Sequence, residues 1–142
     1  MLIKLLPEQL VKFWDMLRFA IAETFVPRST CTNEHLKNIL VNLLSGKSQC
    51  WLMKNKDNEF VGFLITRIAI EDSIKERVLS LDHIYAYKQM PEELWETGYR
   101  TLEDYARNNS CKAFVSMTEN ARVVQQAEKF GFTKRFYLSK EV

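Results

Sequence analysis

The hydrophobic period changes partway along this chain, and the change restricts the fold more than any single motif. Leu10, Phe13, Trp14, Leu17, Ala20 and Ile21 recur every three or four positions. So do Leu36, Ile39, Leu40, Leu43 and Leu44, so two amphipathic helices are expected. Pro7 and Glu8 suit the opening of the first, which should run to about Phe25 and stop at Pro27. The second should begin near Asn33 or Glu34 and end at Gly46, a residue that tolerates the left-handed conformation of a helix C-terminus. From Cys50 the apolar residues alternate instead. CWLMKNKDNEFVGFLITRIAIED reads as two strands joined at Lys56-Asp57-Asn58, and ERVLSLDHIYAY as a third. The remainder alternates: helix 92–108, strand 112–118, helix 120–130 and a last strand near 132–139. With a short strand at residues 2–6, the order is β-α-α-β-β-β-α-β-α-β. That is a single α/β domain over residues 1–142 with a mixed, mostly antiparallel sheet flanked by helices.

Composition narrows the function classes. Four glycines and three prolines in 142 residues, with 46% hydrophobic residues, describe a packed chain rather than a disordered one. Twenty basic residues against eighteen acidic ones form no cluster suited to nucleic acid. No run approaches the roughly 20 apolar residues of a membrane-spanning helix. Lys4 and Pro7 interrupt the apolar start too early for a secretory core. Cys31, Cys50 and Cys111 are odd in number and widely spaced, which indicates free thiols in a reducing, cytoplasmic setting rather than a metal site.

The segment NARVVQQAEKFGF carries the most informative local pattern. Asn120 can cap a helix, Gly131 can end it with positive φ, and Phe132 can then enter the core. Together with the element order and the hairpin WLMKNKDNEFVGFLITRI, this pattern resembles the GNAT N-acetyltransferase superfamily over nearly the whole chain. The resemblance implies the family's fold and a site for acyl-CoA formed by Ile84, Ala86, Gln89 and Asn120. It also implies a base on the strand bearing Asp82 and His83. As neighbours in a strand, these two are expected to face opposite sides, with Asp82 paired to a nearby lysine or arginine.

Two departures from the family pattern bear on activity. Family enzymes carry (Gln/Arg)-x-x-Gly-x-(Gly/Ala) at the strand-to-helix turn, where main-chain amides hold a pyrophosphate. Here that turn reads QMPEELW. With Gln89 first, the glycine positions hold Glu92 and Leu94; shifted by one, they hold Glu93 and Trp95. Two carboxylates are expected to fill the anion site with their own charge, and Leu94 or Trp95 to crowd it. The tyrosine that many members place seven residues after the asparagine is Ala127 here, which has no proton to donate. Tyr137 is expected to pack as a strand residue. The sequence therefore suggests a GNAT-fold protein with a degenerate acyl-CoA site and no resident cofactor. Such a protein would act by binding another protein, in the manner of small phage-encoded, virion-associated GNAT-like proteins, and could form a homo-oligomer. The alternative is a divergent N-acetyltransferase that uses acetyl-CoA, with Asp82 or His83 as base.

Overall fold

A computed structural model describes residues 1–25 and 27–142. Strand β1 (Leu2–Lys4) precedes helix α1 (Pro7–Glu23), a short 3-10 turn (Arg28–Thr30) and helix α2 (Asn33–Ser45). Strands β2 (Ser48–Lys54), β3 (Phe60–Glu71) and β4 (Glu76–Ala86) follow, then α3 (Glu92–Asn108), β5 (Ala113–Ser116) and α4 (Ala121–Lys129). The strands form one sheet in chain order, antiparallel from β1 to β4, with β5 parallel to β4.

Local chemistry accounts for the helix ends. Proline at the first position of α1 gives up only an N–H that would have had no partner, and the Leu6 N–H donates to Gln9 Oε1 at 2.8 Å. Thr32 caps α2 by accepting from the His35 N–H, and Gly46 ends it at φ 83°. Helix α1 stops at Glu23, short of Phe25, because Thr24 Oγ1 donates to the Ile21 carbonyl and draws off its last turn.

The sheet is buried on both faces. Leu10, Leu17, Ile21 and Leu43 of α1 and α2 pack on Cys50, Leu52, Phe63 and Ile65. On the other face Leu94, Leu102 and Ala106 of α3 pack on Trp51, Met53, Leu64 and Leu79. Burial holds the Cys50 thiol protonated, pushing it up to about 12. At Gly62 strand β3 passes close to β4: a Cβ there would run into the Tyr85 carbonyl oxygen. Among the described residues, no helix is long and apolar enough to cross a membrane. Nor do three or more His, Cys, Asp or Glu side chains converge as metal ligands among them.

The end of the chain departs from expectation. Gly131 takes φ 91° and Phe132 packs against Phe114, but no strand follows. Residues 133–142 are exposed, and Tyr137, expected to pack, is 73% exposed. A strand needs a partner for its backbone groups, and the tail meets none among the described residues.

Candidate functional site

The sheet opens between its last two strands. The β4–β5 ladder runs from Val78–Ala113 to Leu81–Ser116 and ends there, where Ser116 Oγ donates to the Leu81 carbonyl. Strand β4 continues to Ala86 with β3 on one side and, among the described residues, no strand on the other. The split arises because the chain leaves β5 for α4 after only four residues. Asn120 sets that departure: its Oδ1 accepts from the Arg122 and Val123 N–H groups at 3.0 and 3.4 Å.

A small pocket of about 80 Å³ occupies the mouth of the split. Ile84, Ala86, Gln89 and Asn120, the four residues expected to contact an acyl-CoA, all line it. Lys88 and Arg122 line it too, two cations that sequence reasoning passed over. Arg122 could have been found, since it sits two residues into the helix that Asn120 caps. Lys88 is shared with Glu59 at 2.8 Å, whereas Arg122 has no ion-pair partner among the described residues.

The glutamates of QMPEELW do not occupy this pocket. Glu92 turns to α4, where it accepts from Lys129 Nζ at 2.8 Å and Gln126 Nε2 at 3.1 Å. The lysine bond, followed by the amide bond, holds its carboxyl below the usual glutamate range. Glu93 turns to the β2–β3 turn and pairs with Lys56 at 2.8 Å. The expectation that both side chains fill the turn is corrected to this extent: neither lines the pocket and each pairs with a lysine, while Glu92 stays close enough to Arg122 to feel its charge. Leu94 does not crowd the turn either, since it is 7% exposed and buried in the core. Trp95 does line the pocket. Pro91 leaves α3 without a side-chain cap, and among the described residues the Glu92 and Glu93 N–H groups have no partner.

Behind the pocket, sharing Ile84, Met90, Trp95 and Val123 with it, lies an apolar cavity of about 90 Å³ between the sheet, α3 and α4. Gly98 and Ala127 face it from the two helices. A Cβ on Gly98 would meet nothing within 4 Å, so packing does not require this glycine in the middle of α3. Ala127 brings no hydroxyl to the cavity. Trp95 Nε1 and Gln126 Oε1 are buried beside it without partners among the described residues.

Asp82 and His83 lie on the opposite face of the sheet, toward α1. The β3–β4 register slips between Ile65–His83 and Thr66–Leu81, leaving Asp82 as an extra residue. This bulge corrects the expectation that the two side chains diverge. Asp82 accepts from Ser80 Oγ at 2.6 Å and Arg67 Nε at 3.0 Å, both on the face that His83 shares with Ile65. The arginine pairing was expected; it commits the carboxylate to Arg67 and Ser80.

His83 is better placed. Its Nδ1 lies 2.8 Å from Thr24 Oγ1, whose only proton is donated to the Ile21 carbonyl at 2.6 Å. Thr24 must then accept from Nδ1–H, which leaves the Nε2 lone pair available. Burial lowers the imidazole's affinity for a proton, and the nearby Asp82 charge only partly offsets this. The ring is neutral at pH 7 and oriented by a hydrogen bond, the condition a general base requires. Phe25 flanks it at 5.6 Å. Thr24 and Phe25 were not legible as site residues, because the α1 terminus reaches β4 only through the tertiary fold.

No protein-family model matches the sequence, and no curated protein does. Solved structures match it throughout. An aminoglycoside acetyltransferase from an uncultured soil metagenomic sample superposes with a TM-score of 0.69 at 12% identity, covering 100% of this chain and 97% of its own. A ribosomal-protein-alanine N-acetyltransferase from Brucella melitensis gives 0.64 at 16%, covering 100% and 97%. A transcriptional regulator from Bacillus halodurans gives 0.70 at 10%, covering 100% and 98%. At such identities the likeness establishes the fold alone, a single α/β domain of GNAT type.

Proposed function

We propose that the chain is an N-acyltransferase that takes its acyl group from acyl-CoA, with His83 as general base. The observation that carries this reading is the run of β4 from Asp82 to Ala86, which among the described residues has no strand partner on its β5 side and opens onto a pocket that neither glutamate lines. The residues present fit such a donor. Free amides at the start of α3 and the Arg122 guanidinium suit a diphosphate, and the backbone edge of β4 suits an amide-bearing arm. Bound there, the donor supplies an activated acyl carbonyl. From the other face, His83 Nε2 would take a proton from an amine while Thr24 holds the ring's orientation.

Isothermal titration should give micromolar binding of acetyl-CoA that weakens at least tenfold when the diphosphate is removed from the ligand. Thiol release with a panel of amines should be lost in His83→Gln with cofactor binding retained, and only reduced in Asp82→Asn. Binding that ignores the diphosphate, or full activity in His83→Gln, would refute the assignment.

A second reading keeps the fold without the chemistry: a protein that acts by binding another protein, as a virion-associated phage protein would. It is favoured by Ala127 at the place of the proton donor and by the absence of glycine from Gln89 to Trp95. Absence of acetyl-CoA binding at millimolar concentration would select it.

A further inference from the structure

Helices α3 and α4 each present one undersized residue to the cavity behind the pocket, and a hydrogen-bond donor and an acceptor lie buried there without partners among the described residues. From these we infer that the acyl group carried by the donor is a hydroxylated chain of about five or six carbons whose far end lies in this cavity. The inference rests on the acyl-CoA reading above and names the class of acyl group.

Leu94, Trp95, Gly98 and Leu102 recur at helical spacing on the inner face of α3, and Val123, Gln126, Ala127 and Phe130 on that of α4. Glycine weakens a helix interior, yet Gly98 has neither a positive φ nor a close neighbour that would demand it. What Gly98 and Ala127 leave is space: about 90 Å³ with almost wholly apolar walls, sharing Ile84, Met90, Trp95 and Val123 with the pocket at the β4 edge. On the scale by which a cavity of about 150 Å³ takes a benzene ring, it holds about three or four carbon atoms. Added to the two carbons of an acetyl group at the mouth, these make the chain length inferred.

The two polar atoms add a requirement. Gln126 is 7% exposed, and its Nε2 donates at 3.1 Å to the Glu92 carboxylate, which also accepts from Lys129. That bond fixes the amide and leaves Oε1 buried as a free acceptor among the described residues. Trp95 Nε1 is buried likewise as a free donor. A plain alkyl chain would leave both desolvated and unpaired, whereas a hydroxyl accepts from one and donates to the other. Trp95 lines both the pocket and the cavity, so the hydroxyl belongs near the start of the chain, just beyond the carbons at the mouth. Glu92, expected from the sequence to fill an anion site, acts instead by orienting Gln126.

Isothermal titration of the full chain tests this with coenzyme A itself and its acetyl, hexanoyl and 3-hydroxyhexanoyl esters. The 3-hydroxyhexanoyl ester should bind at least about tenfold more tightly than the acetyl ester, and more tightly than the hexanoyl ester by a similar factor. Gly98→Leu, which fills the cavity, should bring the 3-hydroxyhexanoyl ester down to the affinity of the acetyl ester, with its far-ultraviolet circular dichroism unchanged. Gln126→Met keeps the length of the side chain and removes the acceptor, so the two six-carbon esters should then bind alike. Equal affinity for the acetyl and 3-hydroxyhexanoyl esters, or equal affinity for the two six-carbon esters in the native chain, would overturn the inference and leave the acyl-CoA reading standing. Retention of the native preferences in both variants would overturn it as well. If none of the ligands binds, the acyl-CoA reading itself fails and the inference falls with it.

Discussion

Replacing Gly98 by alanine should stabilise this protein, an unusual direction for a change at a half-buried helical position. Gly98 sits inside α3, far from either end, at a place where positive φ is not used. Glycine costs about 0.8–1 kcal/mol relative to alanine in a helix interior. A new Cβ would meet nothing within 4 Å, so no clash offsets that gain. The methyl would face the apolar pocket between α3 and α4 without touching its walls, so the helix term alone sets the gain, about 1 kcal/mol. Urea unfolding should show a higher midpoint with an unchanged slope, and Tm should rise by roughly 3–6 °C for a chain of this size. A neutral or destabilised Gly98→Ala would refute the reasoning, since it would mean that α3 approaches its neighbours more closely than described. If the cavity accommodates part of an acyl donor, the bulkier Gly98→Leu should weaken acyl-CoA binding without loss of fold.

Gly62→Ala should act in the opposite direction. Its Cβ would meet the Tyr85 carbonyl oxygen and backbone near Ala86, neither of which can rotate away, so a loss of about 1–3 kcal/mol in urea unfolding is expected; an unchanged midpoint would contradict the close approach. Asn120→Ala removes the α4 cap and should cost about 1 kcal/mol. If α4 helps to hold a diphosphate, acyl-CoA binding should fall with it, as calorimetry would reveal. For His83, the folded state binds a proton less readily than the unfolded state does, so stability is flat above the ordinary histidine value of 6.5 and declines as pH falls below it. Tm measured from pH 7.5 to 5 should show this decline, and His83→Gln should flatten it; equal slopes in both proteins would mean that the imidazole is not sheltered.

The helices and the hairpin were legible because their causes are local. Helix α3 spans the residues that its apolar spacing marks, Asn120 caps α4, and Gly46 and Gly131 take the positive φ that helix ends favour. Side-chain chemistry at one position, or repetition every two or four positions, suffices for such features. The fold class follows from their order. The destination of the charges in QMPEELW was not local. Lys129 stands 37 residues after Glu92 and Lys56 stands 37 residues before Glu93, and only the packing of α4 and the β2–β3 turn around α3 brings them to the carboxylates. The bulge at Asp82 likewise belongs to the pairing of two strands, and the orientation of His83 to a threonine 59 residues away. The tail has a strand's sequence and no strand's structure, because hydrogen bonding in a sheet requires a second backbone and composition cannot supply one. Periodicity and capping are properties of a segment; charge pairing, strand register and cavity shape depend on which segments meet.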